Sequence, residues 1–418
     1  MIEREKTKLR SIPITEDMVL KAYWKVKENR GSTGVDKVSL EEFHNDLTKN
    51  VYKIWNRLTS GSYFPPSVRE VAIPKKDGSE RKLGIPTVSD RIAQQVIKNY
   101  LEPRLEVEFH ENSYGYRPLK SAHQAVEEVQ KNVRNYAWVL DMDIKSFFDE
   151  VDHELMMKAL DKHVEEKWLK MYVIRWLKAT VETKTGELIH REGKGTPQGG
   201  VISPLLANLY LHYVLDKWLE KNHKGIRFVR YADDVIIHCR SEEETKTILE
   251  SVKIRLGACG LRLHEQKTKI VYCQDYRREK KDFPKKFDFL GFSFQPVSKK
   301  SHRGGMFLGY NCVISTSSKK RIVQELKQAK IHRWSGQTIE EIASYLSPKI
   351  RGWVNYYGKF CRNDLQRVFR VLHFRLMKWV LNKYKVFGRS IRKSYTYLIQ
   401  LHTHRPELFY HWKKGYRF

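Results

Sequence analysis

The sequence predicts an α+β fold that gives way to an all-helical last third, on three observations. Two apolar β-type runs each carry an acidic pair: WVLDMDI (138–144) contains Asp141 and Asp143, and VRYADDVII (229–237) is broken by Asp233 and Asp234 and resumes at once. Between about 66 and 295 such short strands alternate with longer runs of helical period, at 153–181 and 203–222. After a break at PVSKKSHRGG (296–305), where glycines, polar residues and charges interrupt the pattern, helical period dominates to the end.

Taken in order, residues 1 to about 65 read as a mixed-charge helical unit with a Gly-rich break at GSTGVD (31–36), and YKIWNRLTSGSYFPP (52–66) leads out of it. Lys75 and Arg81 flank KDGSE, a turn-forming stretch, so a two-stranded flap folds both cations over one site. The run 138–144 is a buried strand, followed by the tandem aromatics Phe147 and Phe148. In GTPQGGVISPLLANLYL (195–211), Gly195, Gly199 and Gly200 let backbone approach a ligand, and Ser203-Pro204 marks a helix start. Ser241 with Glu244 forms a capping box for a helix that ends near Gly260. Beyond the break, SSKKRIVQELKQAK, TIEEIASYL and LQRVFRVLHFRLMKWVL are helices. Their aromatics Trp334, Trp353, Tyr356, Tyr357, Phe360 and Trp379 are assigned to packing, and the interleaved cations to phosphates.

Two carboxylates at a hairpin tip and one at the end of a neighbouring strand can converge on one point. Such a cluster is costly unless a hard cation such as Mg²⁺ neutralises it, and a pair of these ions is what nucleotidyl transfer needs. Composition agrees. A formal charge of +29 on 418 residues with 41% apolar content describes a folded protein with a surface suited to a polyanion. The surplus is uneven: from residue 299 onward there are 26 Lys and Arg against 5 Asp and Glu. No stretch approaches the ~20 apolar residues of a membrane span, and the chain does not open as a signal peptide, so cytosolic residence is expected. Cys239, Cys259, Cys273, Cys312 and Cys361 stand without a CxxC pair, which argues for reduced, packed thiols rather than disulfides or a zinc site. His402, His404 and His411 lack matching cysteines and acidic partners and are not assigned to a metal.

In order and spacing, the blocks NRGSTGVD (29–36), IPKKDGSERKLGIPTVSDRIAQQ (73–95), NSYGYRP (112–118), the Asp143 block, GTPQGG (195–200), YADD (231–234), LRLHEQKTKI (261–270), FDFLGFSF (287–294) and IRGWVNYYGKF (350–360) resemble those of bacterial group II intron reverse transcriptases, or maturases, of the kind that lacks a C-terminal endonuclease domain. The resemblance implies a right-hand polymerase. Residues 1–65 would be an N-terminal extension, 66–295 the fingers and palm (an antiparallel sheet with helices), and 296–418 a basic, all-α thumb or maturase domain. It implies an RNA-directed DNA polymerase that works by two-Mg²⁺ nucleotidyl transfer, with Mn²⁺ able to substitute, and that binds intron RNA to promote splicing and retrohoming. The alternative is a domesticated relative acting in antiphage defence or DNA repair with a dedicated non-coding RNA. Its partners would be intron or other structured RNA, RNA template, DNA primer or target, and dNTPs, with no membrane, in the bacterial cytoplasm. DNA insertion would then proceed without self-made second-strand cleavage.

By the same resemblance, Asp143, Asp233 and Asp234 are catalytic, and they hold metal together with Ile144. Asp143 is selected over Asp141 by its place five residues before the second aromatic, and Asp141 and Asp149 are structural. Lys75 and Arg81 would grip the triphosphate. Phe148 would lie beneath the sugar and exclude a 2′-hydroxyl, with Gln198 and Ala232 completing that floor. Arg117 would contact template or the interior of the fingers, and Lys267 the primer backbone.

Overall fold

The structure, a computed structural model, describes residues 12–74, 80–302, 304–388 and 390–418. In chain order its strands are β1 Val68–Pro74, β2 Glu80–Ile85, β3 Trp138–Asp143, β4 Val181–Glu182, β5 Leu188–Ile189, β6 Arg227–Tyr231, β7 Asp234–Cys239, β8 Lys269–Tyr272, β9 Phe287–Phe289, β10 Phe292–Lys300 and β11 Met306–Ile314. The chain forms two compact units, Met1–Ala125 with Leu140–Thr268, and Val126–Val139 with Lys269–Phe418.

The first unit begins with helices Glu16–Glu28, Leu40–Asn45 and Leu47–Thr59, the first set off by the Gly-rich break and the last two parted by Asp46 alone. Thr15 and Ser39 open the first two as reciprocal caps, each hydroxyl taking the N–H three residues on. Val19, Ala22, Tyr23 and Val26 recur on one buried stripe, and the first helix packs on Val88–Glu106. β1 pairs antiparallel with β2, Arg69 opposite Ile85 and Pro74 opposite Glu80, and parallel with the short β4, which continues to β5. In a second sheet β6 pairs antiparallel with β7, whose other neighbour is β3.

Two helical segments differ from the sequence reading. The run expected over 153–181 is two helices, His153–Asp161 and Lys167–Leu177. The Leu160 carbonyl takes the N–H of both His163 and Val164, and Val164 is buried in the turn so formed. The run expected over 203–222 is continuous but contains one π turn, His212–Asp216, between Ser203–Leu211 and Lys217–Asn222. A wider turn strands carbonyls, and the Arg255 guanidinium satisfies two of them, at Tyr213 (3.1 Å) and Val214 (3.0 Å). Ser241 caps Glu242–Ala258 as expected, but Glu244 closes on the N–H of Arg240 (2.6 Å) rather than on the cap residue itself.

In the second unit β9, β10 and β11 form an antiparallel sheet. Phe287, Phe289, Phe292 and Phe294 are buried there, with Phe287 and Phe294 stacked at 4.9 Å. The stretch 296–305 is not a break between elements: β10 and β11 stay paired from Phe292–Ile314 to Lys300–Met306, and beyond that pair the Ser301 N–H donates to the Gly305 carbonyl (2.7 Å). The helices Thr316–Gln328, Ile339–Tyr357, Arg362–Lys383, Ile391–His404 and Tyr410–Lys413 follow. Trp353, Tyr357 and Trp379 are buried, and the Trp379 indole N–H donates to the Trp334 carbonyl (2.8 Å). All five cysteines are free and buried. Among the described residues no helix is long and apolar enough to cross a membrane.

Candidate active site

The hairpin of β6 and β7 turns in two residues: Tyr231 is paired with Asp234, leaving Ala232 and Asp233 at the tip. Ala232 has φ +56°, a left-handed conformation that costs a non-glycine residue roughly 1–2 kcal/mol. It is held from within. Arg230, fully buried, donates from Nη1 to the Ala232 carbonyl (3.1 Å) and to Asn208 Oδ1 (2.9 Å), while Nε and Nη2 bind both oxygens of buried Asp216 (2.8 and 2.5 Å). The π turn is what carries Asp216 inward.

The loop 112–118 braces the same turn. Tyr114 N–H donates to the Arg230 carbonyl, Arg230 N–H to that of Asn112, and Asn208 to that of Gly115. A Cβ at Gly115 would stand 2.4 Å from the Ala232 nitrogen, so only glycine permits the approach. Arg117 fastens this loop: its guanidinium is directed at both Glu106 carboxylate oxygens and at the carbonyls of Glu106, His110 and Ser113, and the residue is buried. Of the two settings expected for Arg117 the structure shows the interior, where no N–H remains for a template phosphate.

Asp143 ends β3, and its main chain is pinned by a neighbouring segment. Its carbonyl accepts the His264 N–H (2.8 Å), Ile144 bridges Leu263, and Lys145 N–H donates to the Arg262 carbonyl (2.9 Å). Ile144, having no polar side chain, can offer a cation only its main-chain oxygen. Lys267 places its ammonium 3.1 Å from Asp143 Oδ2.

The three carboxylates are within electrostatic reach of one another. Desolvation first, then the Asp143 charge, push the Asp233 carboxyl up, against the pull of Arg81. Asp234, although its side chain keeps an exposed face, is pushed up to about 7 by desolvation among its neighbours and by Asp233 and Asp143, with Arg81 and Lys267 opposing. Asp143 acts on both. Lys267 supplies a positive charge at Asp143. The donors are hard oxygens, which suits Mg²⁺. Among the described residues no three His, Cys, Asp or Glu side chains already close on one point.

Phe148 is half-buried, edge-on to buried Phe147 at 5.3 Å, and its carbonyl accepts the Thr196 N–H (2.7 Å). The 195–200 loop is tied on its other side to β2, Gly84 N–H donating to the Gln198 carbonyl (2.8 Å). Gly199, at φ +122°, lies so close to the Gly84 carbonyl that a Cβ would stand 2.7 Å from it. One chain of main-chain bonds thus sets Phe148, Gln198 and the root of the flap bearing Arg81. Lys75 lies outside the described residues. Tyr116, not singled out from sequence, is exposed, and its hydroxyl is pushed up by desolvation and then by Asp233. Arg230, Asn208 and Asp216 were missed as well. For Arg230 and Asp216 the one signal is a charge within an apolar stretch, at Arg230 in FVRYA and at Asp216, next to Lys217, in YVLDKW; the uncharged Asn208 sends none.

Residues 73–294 match the family described as reverse transcriptase (RNA-dependent DNA polymerase), and residues 319–396 match the group II intron maturase-specific domain. Protein YkfC of Escherichia coli is 32% identical over 65% of this chain and 78% of its own length. The group II intron-encoded protein LtrA of Lactococcus lactis is 25% identical over 91% of this chain and 75% of its own, and the putative COX1/OXI3 intron 1 protein of Saccharomyces cerevisiae 24% over 94% and 55%. The chain belongs to the reverse transcriptase family, the RNA-directed DNA polymerases, and within it to the group II intron-encoded type that carries a maturase-specific domain.

Proposed function

We propose that polymerisation takes place at Asp143, Asp233 and Asp234, and that the chain uses its basic last third to bind the intron RNA it helps to splice and mobilise. What supports the first part is the Lys267 ammonium 3.1 Å from Asp143 Oδ2, together with the upward push on the Asp234 carboxyl by desolvation first and then by Asp233 and Asp143. Asp143 and Asp233, with Asp234 and the Ile144 carbonyl, would hold two Mg²⁺ ions, or Mn²⁺ in their place. Such a pair supplies a lowered pKa at the primer 3′-hydroxyl and charge neutralisation on the triphosphate.

This chain's own residues do the rest. Arg81, with Lys75 on the other side of KDGSE in sequence, grips the triphosphate. Phe148 excludes a 2′-hydroxyl beneath the sugar, on a floor completed by Gln198 and Ala232. Lys267, 3.1 Å from Asp143 Oδ2, would meet a phosphate of the primer backbone if a divalent ion were held at Asp143 in its place. The division into an extension (1–65), fingers and palm (66–295) and thumb (296–418), and residence in a bacterial cytoplasm, belong to the same reading.

The test is primer extension with purified protein, an RNA template, a DNA primer, dNTPs and Mg²⁺. DNA product that depends on the RNA and stops on chelation is expected; protein that binds the duplex without extending it contradicts the reading. Sequencing the RNA that copurifies tests the second part, since a non-intron RNA would favour a domesticated role.

A further inference from the structure

The helical run from 203 to 222 has a second face that the carboxylate site does not use. Asp216 points inward to Arg230, while Tyr213, Lys217, Trp218 and Lys221 recur on the outer side at helical spacing. They form one wall of a groove of about 620 Å³ whose other wall is helix His153–Asp161, through Lys158 and Lys162. None of its lining residues is among those assigned above to metal, nucleotide or template.

The lining has an unusual composition. It holds five cations, Arg255 included, and no carboxylate. Arg255 is committed to the carbonyls of the π turn, but the four lysines are exposed, and Lys162 lies 4.3 Å over the Tyr213 ring. On each wall the lysines are four residues apart, about 6 Å along the helix. Two rows of ammonium groups at one-turn spacing, with Tyr213 and Trp218 between them, suit a strand that presents phosphates at regular intervals and bases that can stack. A membrane surface would instead need exposed apolar anchors.

We infer that this groove is a second RNA-binding site, separate from the cleft that holds template and primer, and that it takes a single-stranded segment of RNA. The choice of RNA rests on the polymerase and maturase reading; the groove itself does not. Its occupancy would let the enzyme stay on a parent RNA while another duplex is being copied.

The test occupies the cleft first, with a saturating unlabelled RNA–DNA hairpin ending in a dideoxynucleotide, and then titrates a labelled 30-nucleotide oligouridylate. Wild-type protein should bind this second RNA. The variant Lys158→Gln, Lys162→Gln, Lys217→Gln, Lys221→Gln should bind it about tenfold more weakly, with a salt slope smaller by about 3. Extension of an unblocked hairpin should stay unchanged. A control neutralising Lys21, Lys131, Lys246 and Lys253 should keep most of the binding.

No second binding event, an unaltered affinity in the groove variant, or equal loss in the control would overturn the inference, as would capture of phosphatidylserine vesicles in preference to RNA. If the groove variant loses extension too, photocrosslinking of the unmodified, hairpin-filled protein decides. Oligouridylate attached to peptides bearing Tyr213 or Trp218 supports the site, and attachment only elsewhere overturns it. Failure of hairpin extension by the wild-type protein would count against the polymerase reading rather than against the groove.

Discussion

Arg230 is the residue on which the catalytic turn leans, and its energetics are those of a buried ion pair. Removing one partner leaves the other charged and desolvated, at a cost of about 3–5 kcal/mol. Arg230→Leu is therefore expected to lower the urea midpoint of the first unit strongly, and Asp216→Leu to do the same. The double variant should recover part of the loss, and additive losses would show that the two do not act as a pair. At Phe148, substitution by Ala should admit ribonucleotides, read as the dNTP to rNTP ratio in single-nucleotide incorporation; an unchanged ratio would refute its place under the sugar. Asp143, Asp233 and Asp234 could be singled out from sequence because each interrupts or ends an apolar run, where a carboxylate needs a reason. Arg230 and Asp216 send the same signal but lie 14 positions apart on different elements, and the π turn that aims one at the other leaves no mark in the periodicity.

At the scale of elements, the turn of β6 and β7 and the 112–118 loop are one construction. Gly115→Ala puts a methyl group against the Ala232 backbone, with no flexible side chain to give way. Extension is expected to fall at least tenfold with RNA affinity retained, and near-normal extension would mean that the turn tolerates displacement. A second element-scale prediction concerns helices Arg362–Lys383 and Tyr410–Lys413, where His373 and His411 meet Nε2 to Nε2 at 3.1 Å. Burial pushes His373 down to about 3 and His411 well below its usual value, so both fold neutral. Below pH 6.5 the unfolded chain takes up protons that the folded chain refuses. Stability thus falls with decreasing pH, by about 1.4 kcal/mol per unit for each histidine, until the folded pKa is reached. Urea midpoints of wild type and His373→Leu should converge between pH 7 and pH 5; a constant gap would contradict the assignment.

The elements that could not be read from sequence share a cause. In β10 and β11 the outer residues alternate between solvent and protein, and lysines on a solvated strand look like a loop when no partner is known. The gap within 153–181 carries no proline or glycine, and only the double use of the Leu160 carbonyl reveals it.

For the molecule as a whole, the charge of +29 was legible by counting, and its concentration after residue 299 predicts behaviour that no single contact does. RNA affinity should fall steeply with salt, by about 10³ or more between 50 and 200 mM if six or more phosphates are neutralised. A shallow dependence would remove the electrostatic role given to the last third of the chain. Family membership follows from the order of blocks along 73–294 and 319–396. What order alone cannot supply is the agreement between levels: a buried arginine, a wide helical turn and a glycine contact all serve one two-residue tip.

The central claim is that Asp143 and Asp233 act together on divalent ions during extension. Its most direct test is primer extension by Asp233→Ala and Asp143→Asn over a range of Mg²⁺, with RNA affinity measured on the same preparations. Extension should fall about a thousandfold or more at every Mg²⁺ concentration while RNA binding stays within a few-fold of wild type. Extension within tenfold of wild type in either variant would contradict the account.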